Sequence, residues 1–447
     1  MKWFAAALVI GAAVRIAALP LAGTGDVAIF KGWSYVAAAR GAARLYDWAA
    51  APQDRSLRQF EGVNAQGDYP PLALYELEVV GRLYRRAAGG HFPDNPALTA
   101  SIKALPLLAD VGIACLLFVA TRQAIGVGGA RWAALAYWLN PALILCTNVL
   151  GYVDTLFMLP TLGALVAGLA GRPTVAGALM AAAVLTKPQA LVLAPAVALV
   201  IWNLSERGRG SRYVSALAGA AVVSVAILVP VIAAGSARNM ALAVGSVIVG
   251  TDMLSAGAFN LWWLVGHLLR MIHEVPATGF TAAIRMQADI VPLVAIIDVA
   301  LPTARILGST LALAAIGWGL WTSRRARDLW LVAAAGAFAV HAYAALATQV
   351  HENHLLAALP LLTIAAAARR QFLPVLVAVS AIFALNLNLL YGFGEDIGHA
   401  LPRTATGVDM TVLIAAANCA ALVWHGSVLR RACLRPRASQ ESEPGSA

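Results

Sequence analysis

The sequence predicts an all-α, polytopic transmembrane protein of about twelve spans. Three observations carry that prediction. Of 447 residues, 60% are hydrophobic and only 12% are charged, whereas a soluble domain is about half apolar and a quarter charged. Apolar runs of about 18 residues or more, long enough to cross a bilayer core, recur along the chain. Short arginine-rich loops separate them, and the mean hydropathy is +0.75.

The first run, KWFAAALVIGAAVRIAALPLAG, is too long for the core of a signal peptide. Arg15 interrupts it, and it reads as a retained first helix. The spans are placed near 3–22, 103–121, 132–149, 155–170, 174–187, 188–203, 213–234, 291–321, 329–347, 355–368, 373–391 and 409–429. With Lys2 inside, the basic loops 121–131, 171–173, 205–212 and 323–328, the pair Arg369–Arg370 and the tail 430–437 all fall on the cytoplasmic side. That is the positive-inside pattern. It places the N- and C-termini in the cytoplasm, across a cell inner (plasma) membrane.

This topology requires that PPLALYELEVVGRLYRRAAG (70–89) does not cross. Glu76, Glu78, Arg82, Arg85 and Arg86 stand among its apolar residues, so it reads as an amphipathic interface helix. The first extracytoplasmic loop is then 23–102 and a second long one is 235–290. GYVD (151–154), TKPQ (186–189), TQVHENH (348–354) and 391–409 lie on the same side. The transmembrane domain is 1–430, followed by a polar cytoplasmic tail, 431–447, that is expected to be disordered.

A net charge of +10 could indicate nucleic acid. The basic residues are dispersed in small clusters between apolar helices, so that reading is rejected. Cys115, Cys146, Cys419 and Cys433 lie mostly inside apolar runs without ligand spacing, and read as packing residues.

The unusual polar residues collect on the outer face. Asp26, in TGDVAIFKGW, is either a helix cap or a carboxylate held as a general base. Asp68, in QGDYPPL, carries the same choice, with the cap favoured more strongly. Asp154, in NVLGYVD, is an ionisable group at a helix junction, functional by default or again a cap. Lys187, in LTKPQAL, is a deeply placed ammonium that needs an acidic partner or an anionic substrate. In VGTDMLSAGAFNLWWLVGH, Asp252 and Asn260 stand out; Trp262 and Trp263 read as interfacial anchors. His351 and His354 are three apart, not the i, i+4 spacing of a zincin, so no metal is assigned and the imidazoles are expected to face an anionic group.

Taken in order, "GD…F" after the first helix, "DYPPL", "NP…GYVD", "TKPQAL…P", "FNLWWL" and "VHENHLL" resemble the GT-C superfamily of integral-membrane glycosyltransferases that use polyprenyl-phosphate sugars. The likeness covers most of the chain and is nearest to N-glycan precursor glucosyltransferases and bacterial polyprenyl-phosphate-mannose-dependent mannosyltransferases. It implies that Asp26 is the catalytic aspartate, that Asp68 belongs to the YPP element, and that Asp154 is the second acidic position. His351 and Glu352 match the family's His-Glu pair. Two positions depart from the pattern: Asn353 stands where the eukaryotic enzymes carry lysine, and Gly151–Tyr152 where bacterial relatives often have Gly-Gln.

The resemblance implies transfer of a hexose, mannose or glucose, from a polyprenyl-phosphate donor to a glycan or glycolipid acceptor on the extracytoplasmic face. Asp26 would act as base, with inversion at the anomeric carbon and no cofactor. Lys103, Lys187, His351, Glu352, His354 and Asn260 are the residues expected at the donor and its phosphate. The alternative is a lipid-linked sugar flippase or transporter. It would call for internal repeats and polar residues through the membrane depth, neither of which the sequence displays.

Overall fold

The computed structural model describes residues 2–49, 59–60, 63–64, 66–203, 209–250, 253–272 and 303–434. In chain order the helices are α1 (Lys2–Ala18), α2 (Gly25–Arg40), α3 (Pro71–Ala87), α4 (Pro96–Trp138), α5 (Pro141–Leu143), α6 (Asp154–Leu169), α7 (Pro173–Thr186), α8 (Ala194–Asn203), α9 (Arg209–Ala233), α10 (Ala237–Gly250), α11 (Leu261–Ile272), α12 (Ala304–Thr322), α13 (Leu329–Leu346), α14 (Ala358–Ala368), α15 (Leu373–Tyr391) and α16 (Met410–Leu434). Asp252, the start of the 291–321 span and most of the C-terminal tail lie outside the described residues.

Six helical stretches are long and apolar enough to cross a membrane, among them 96–149, 210–233 and 410–434. Shorter apolar helices occupy the other expected positions at 154–169, 173–186, 188–203 and 352–368. Two of these begin in tight 3-10 turns, Pro188–Leu193 and Glu352–Ala357, which shorten the α-helical run that follows. The chain is therefore a helical membrane protein, with six helical stretches of spanning length among the described residues, the first of which, 96–149, covers two of the expected spans. The loop expected at 121–131 is instead helical on both sides of one break, at Gly126 (φ 72, ψ 173).

Sequence chemistry accounts for the element ends. Asn95 accepts hydrogen bonds from the backbone N–H groups of Ala97 and Leu98, with Pro96 in the first turn of α4. Pro71 opens α3 in the same manner. The amphipathic reading of α3 holds: Leu74, Leu77, Gly81 and Tyr84 are buried, while Arg82, Arg85 and Arg86 are exposed. Gly81 lies directly against the Ser34 backbone, so α2 and α3 touch where any side chain would collide. Phe30, Trp33, Tyr46 and Leu77 fill the space between them. Facing outward on the spans are Val9 and Ile10 of α1, Leu217 and Val222 of α9, and Val423 of α16, all exposed as lipid-facing residues would be.

The loops sort by end. The Thr24 backbone N–H donates to the Leu150 carbonyl at 3.1 Å and that of Glu395 to Gly23 at 3.4 Å. Tyr152 and Tyr391 both reach Glu352. Four of the six segments expected on the outer face, 23–102, 151–154, 348–354 and 391–409, thus meet at one end. At the other, Asn203 donates to the Ala326 carbonyl at 2.7 Å and the Arg369 guanidinium lies 5.0 Å from the Trp330 ring centre.

Arg15, which seemed only to interrupt the first helix, is fully buried and ties α1 to α4. Its Nη1 donates to Asp110 Oδ2 at 2.6 Å and also to Asn148 Oδ1. Nη2 donates to the Trp138 carbonyl at 3.2 Å, and Tyr137 donates to Asp110 Oδ1. Removing one member of a buried ion pair costs about 3–5 kcal/mol, while replacing both with apolar groups is often neutral. Asp110→Asn is expected to lower the unfolding midpoint of the solubilised protein clearly. The double change Arg15→Met with Asp110→Leu should recover most of that loss in the same thermal melt.

Candidate active site

The site is built at the end where the outer loops meet. Asp26 lies in the first turn of α2. No side chain caps that helix, so Asp26 is not spent as a cap. The same holds for the other two aspartates. No side-chain cap forms at α3, after Asp68, nor at α6, which Asp154 begins.

Asp154 and Lys187 form a buried ion pair, Nζ to Oδ1 at 2.9 Å. Asp154 Oδ2 accepts from Asn353 Nδ2 at 2.7 Å. Both carboxylate oxygens are thereby committed. Tyr152 donates to Glu352 Oε1, and Tyr391 reaches the same oxygen at 3.2 Å. GYVD and HENH are therefore laced together twice, and the lacing uses Tyr152 and Asn353, the positions that depart from the family pattern. Gly151 makes the turn possible: its φ is 84, and a side chain there would strike Val27 and Lys103.

A cavity of about 390 Å³ opens beside this knot. Asp68, Lys187, Arg305, His351 and His354 are among its charged and polar lining residues, and Val192 and Val244 among the apolar ones. His354 is fixed on both ring nitrogens, 3.1 Å from Gln189 Nε2 and 3.3 Å from the Tyr343 hydroxyl. The Lys187 ammonium stands 5.5 Å from the Tyr69 ring centre, a cation–π distance.

Charge in this region is out of balance. Burial is the main force raising the Asp26 pKa; Glu352 adds to it, and Lys187 and His351 oppose it. Burial also raises Asp68, to about 6, with Asp26 as the next contributor. Burial works against the Lys187 ammonium, but Asp154 and Tyr69 outweigh it and hold its pKa above the ordinary range. Burial lowers His351, and Lys187 lowers it further. Asp26, Asp68, Asp154, Lys187, His351, Glu352 and His354 thus share one electrostatic neighbourhood.

Two expected donor-site residues do not join them. Lys103 is buried with its ammonium on the carbonyls of Leu21 and Val149, the latter at 2.7 Å. It clamps the loops that flank Asp26 and Gly151, and does not line the cavity. Asn260 caps α11, accepting from the backbone N–H groups of Trp262 at 3.0 Å and Trp263 at 3.1 Å. Its amide donates to the carbonyls of Ala344 and Ala347, both at 3.2 Å. Trp262 and Trp263 are buried rather than interfacial, and donate to the Leu346 carbonyl and to Thr411 Oγ1. This bracket supports the site: Ala256 and Ala258 donate to the Val350 carbonyl at 3.1 and 3.3 Å, next to His351. Sequence reading missed Tyr69, Gln189, Tyr343 and Tyr391. Gln189 and Tyr69 lie within motifs already singled out (TKPQAL and DYPPL), which was the available signal.

No family model matches the chain, and no curated protein matches it. Solved structures do. ArnT from Cupriavidus metallidurans, bound to undecaprenyl phosphate, aligns with 97% of this chain and 73% of its own, at 17% identity and a TM-score of 0.50. The oligosaccharyltransferase of Archaeoglobus fulgidus tethered with an acceptor peptide aligns with 97% of this chain and 55% of its own. Its identity is 15% and its TM-score 0.42, a likeness that carries no argument here. What the ArnT comparison shows is the fold: the chain is an all-α, polytopic membrane protein that shares the ArnT fold.

Proposed function

We propose that this chain is an inverting glycosyltransferase that moves a hexose, mannose or glucose, from a polyprenyl phosphate to a glycan or glycolipid acceptor at the extracytoplasmic face. The observation that supports this most is a cavity lined by Asp68, Lys187 and His351 together with apolar side chains, with Asp26 outside the lining but in electrostatic range of Lys187 and His351. The apolar lining suits an isoprenoid tail, and the polar lining suits a sugar and its phosphate. Undecaprenyl phosphate bound to ArnT is a ligand of the same chemical kind in the same fold.

In this reading the acceptor hydroxyl gives its proton to Asp26. The hydroxyl oxygen bonds to the anomeric carbon as that carbon's bond to the phosphate oxygen breaks. The electron pair leaves on the polyprenyl phosphate. Lys187 and His351 stabilise that departing charge, the larger catalytic contribution in most such sites. Asp154 and Asn353 hold Lys187 in place rather than exchanging protons. Asp68 sits beside Asp26 and competes with it for a proton, so the two carboxylates titrate as an interacting set. His354, pinned by Gln189 and Tyr343, orients the donor phosphate.

The test is a transfer assay in proteoliposomes with a panel of polyprenyl-phosphate sugars. Asp26→Asn is expected to lower turnover by about 10²–10⁴-fold, the contribution of a general base, with donor KM little changed. Turnover kept in that variant removes Asp26 as base. Failure with every donor, accompanied by movement of a labelled lipid-linked sugar across the membrane, would replace transfer by transport. Lys187→Gln is expected to cost about 10²-fold or more in rate through the lost phosphate contact.

The pH profile follows from the direction of the shifts. A carboxylate base works only when deprotonated, and both Asp26 and Asp68 are raised. Activity should therefore fall as pH is lowered, with the loss beginning above the ordinary carboxylate range. A profile flat down to pH 4.5 would contradict this assignment.

A further inference from the structure

A second group of charges lies apart from the cavity. Arg270 closes α11 and is 6% exposed. Arg403 and Asp409 belong to the loop between α15 and α16, where Thr404–Ala405 pairs with Val408–Asp409. Arg403 Nε stands 3.9 Å from Asp409 Oδ2, too far for a hydrogen bond. Asp409 Oδ1 is already taken, accepting from the Thr411 backbone N–H at 2.9 Å and from its hydroxyl at 2.6 Å. One oxygen of Asp409 thus remains toward Arg403, and Asp409 also acts on Arg270 through its charge. Burial, and then the charge of Arg403, press the Arg270 pKa down, while Asp409 works the other way.

Three donors are left over. Nε and Nη1 of Arg270 and Nη2 of Arg403 are buried N–H groups without a hydrogen-bond partner. A buried charged donor left unmade is costly, and folds rarely keep three together for no purpose. An arginine fork fits the oxygens of a phosphate in two parallel hydrogen bonds, and two arginines facing one acid leave a single positive charge to be met.

We propose that Arg270 and Arg403, set around Asp409, form an anion site for a phosphate group, either that of a phospholipid headgroup or that of a free phosphate. The flanks favour the headgroup. Leu268 and Met271 of α11 and Leu401 of the loop are exposed apolar side chains beside the two arginines in the chain, as a segment resting on a lipid surface would carry. The site is joined to the bracket that supports His351, because Trp263 Nε1 donates to Thr411 Oγ1 at 2.9 Å and that hydroxyl donates to Asp409. A bound headgroup would steady the start of α16, which carries the partner of Trp263.

The test uses the full-length chain in a phosphate-free detergent. Equilibrium binding of radiolabelled inorganic phosphate is measured for wild type, Arg270→Gln, Arg403→Gln and Asp26→Asn, with phosphatidylglycerol added as competitor in a second series. Wild type and Asp26→Asn are expected to hold one phosphate more per chain than either arginine variant, or to bind that one at least tenfold more tightly. Displacement by phosphatidylglycerol identifies the headgroup as source; its failure to displace identifies free phosphate; either result upholds the site. Arg403 is 30% exposed, so Arg403→Gln keeps the test readable if Arg270→Gln does not fold. Equal binding by wild type and Arg403→Gln, or no phosphate bound by wild type, overturns the proposal.

Discussion

The buried ion pair between Lys187 and Asp154 is the interaction on which the rest of the site depends. An ammonium removed from water at this depth is tolerable only with a partner and a full set of hydrogen bonds. Asp154 is that partner, and Asn353 completes its second oxygen. The consequence is an ammonium whose charge is secure at any working pH. That secure charge acts on Asp26, Asp68 and His351 alike. Without Lys187 the Asp154 carboxylate would be buried with Asn353 alone as its partner.

The fold explains how residues so distant in sequence reach that pair. Helices supply rigid ends, and the chemistry sits on the short turns between them: Gly23 to Asp26, Gly151 to Asp154, Lys187 to Gln189, and His351 to His354. Each turn is fastened by something other than the reaction. Lys103 clamps two carbonyls, Asn260 caps α11 while holding the end of α13, and Arg15 ties α1 to α4. The polar side chains of this membrane protein thus divide into clamps and chemistry. A clamp has its hydrogen bonds filled by the backbone or by a fixed partner. The groups proposed to react differ: Asp68, half-buried, keeps its Oδ1 without a hydrogen-bond partner.

That division explains what was legible in the sequence. Asp26, Asp68, Lys187 and His351 could be found because each is a titratable residue at the end of an apolar run, where chance placement is costly. The amphipathic α3 could be found because its arginines and leucines alternate with helical period. Lys103 and Asn260 look identical to site residues by the same criterion, since a sequence does not reveal whether a donor meets a carbonyl or a ligand. Asp110 was passed over because its partner Arg15 lies 95 residues earlier and on another helix. The turns at Pro188 and Glu352, which shorten two of the apolar helices, were not legible because the apolar runs look continuous in sequence.

The most direct measurement of the central claim is an experimental structure of the chain with a polyprenyl phosphate bound in a lipid nanodisc. The account predicts the phosphate within hydrogen-bond reach of Lys187 and His351, the isoprenoid tail along Val192 and Val244, and Asp26 open to the sugar position. A phosphate seated at Lys103, or a tail running along α1, would contradict it.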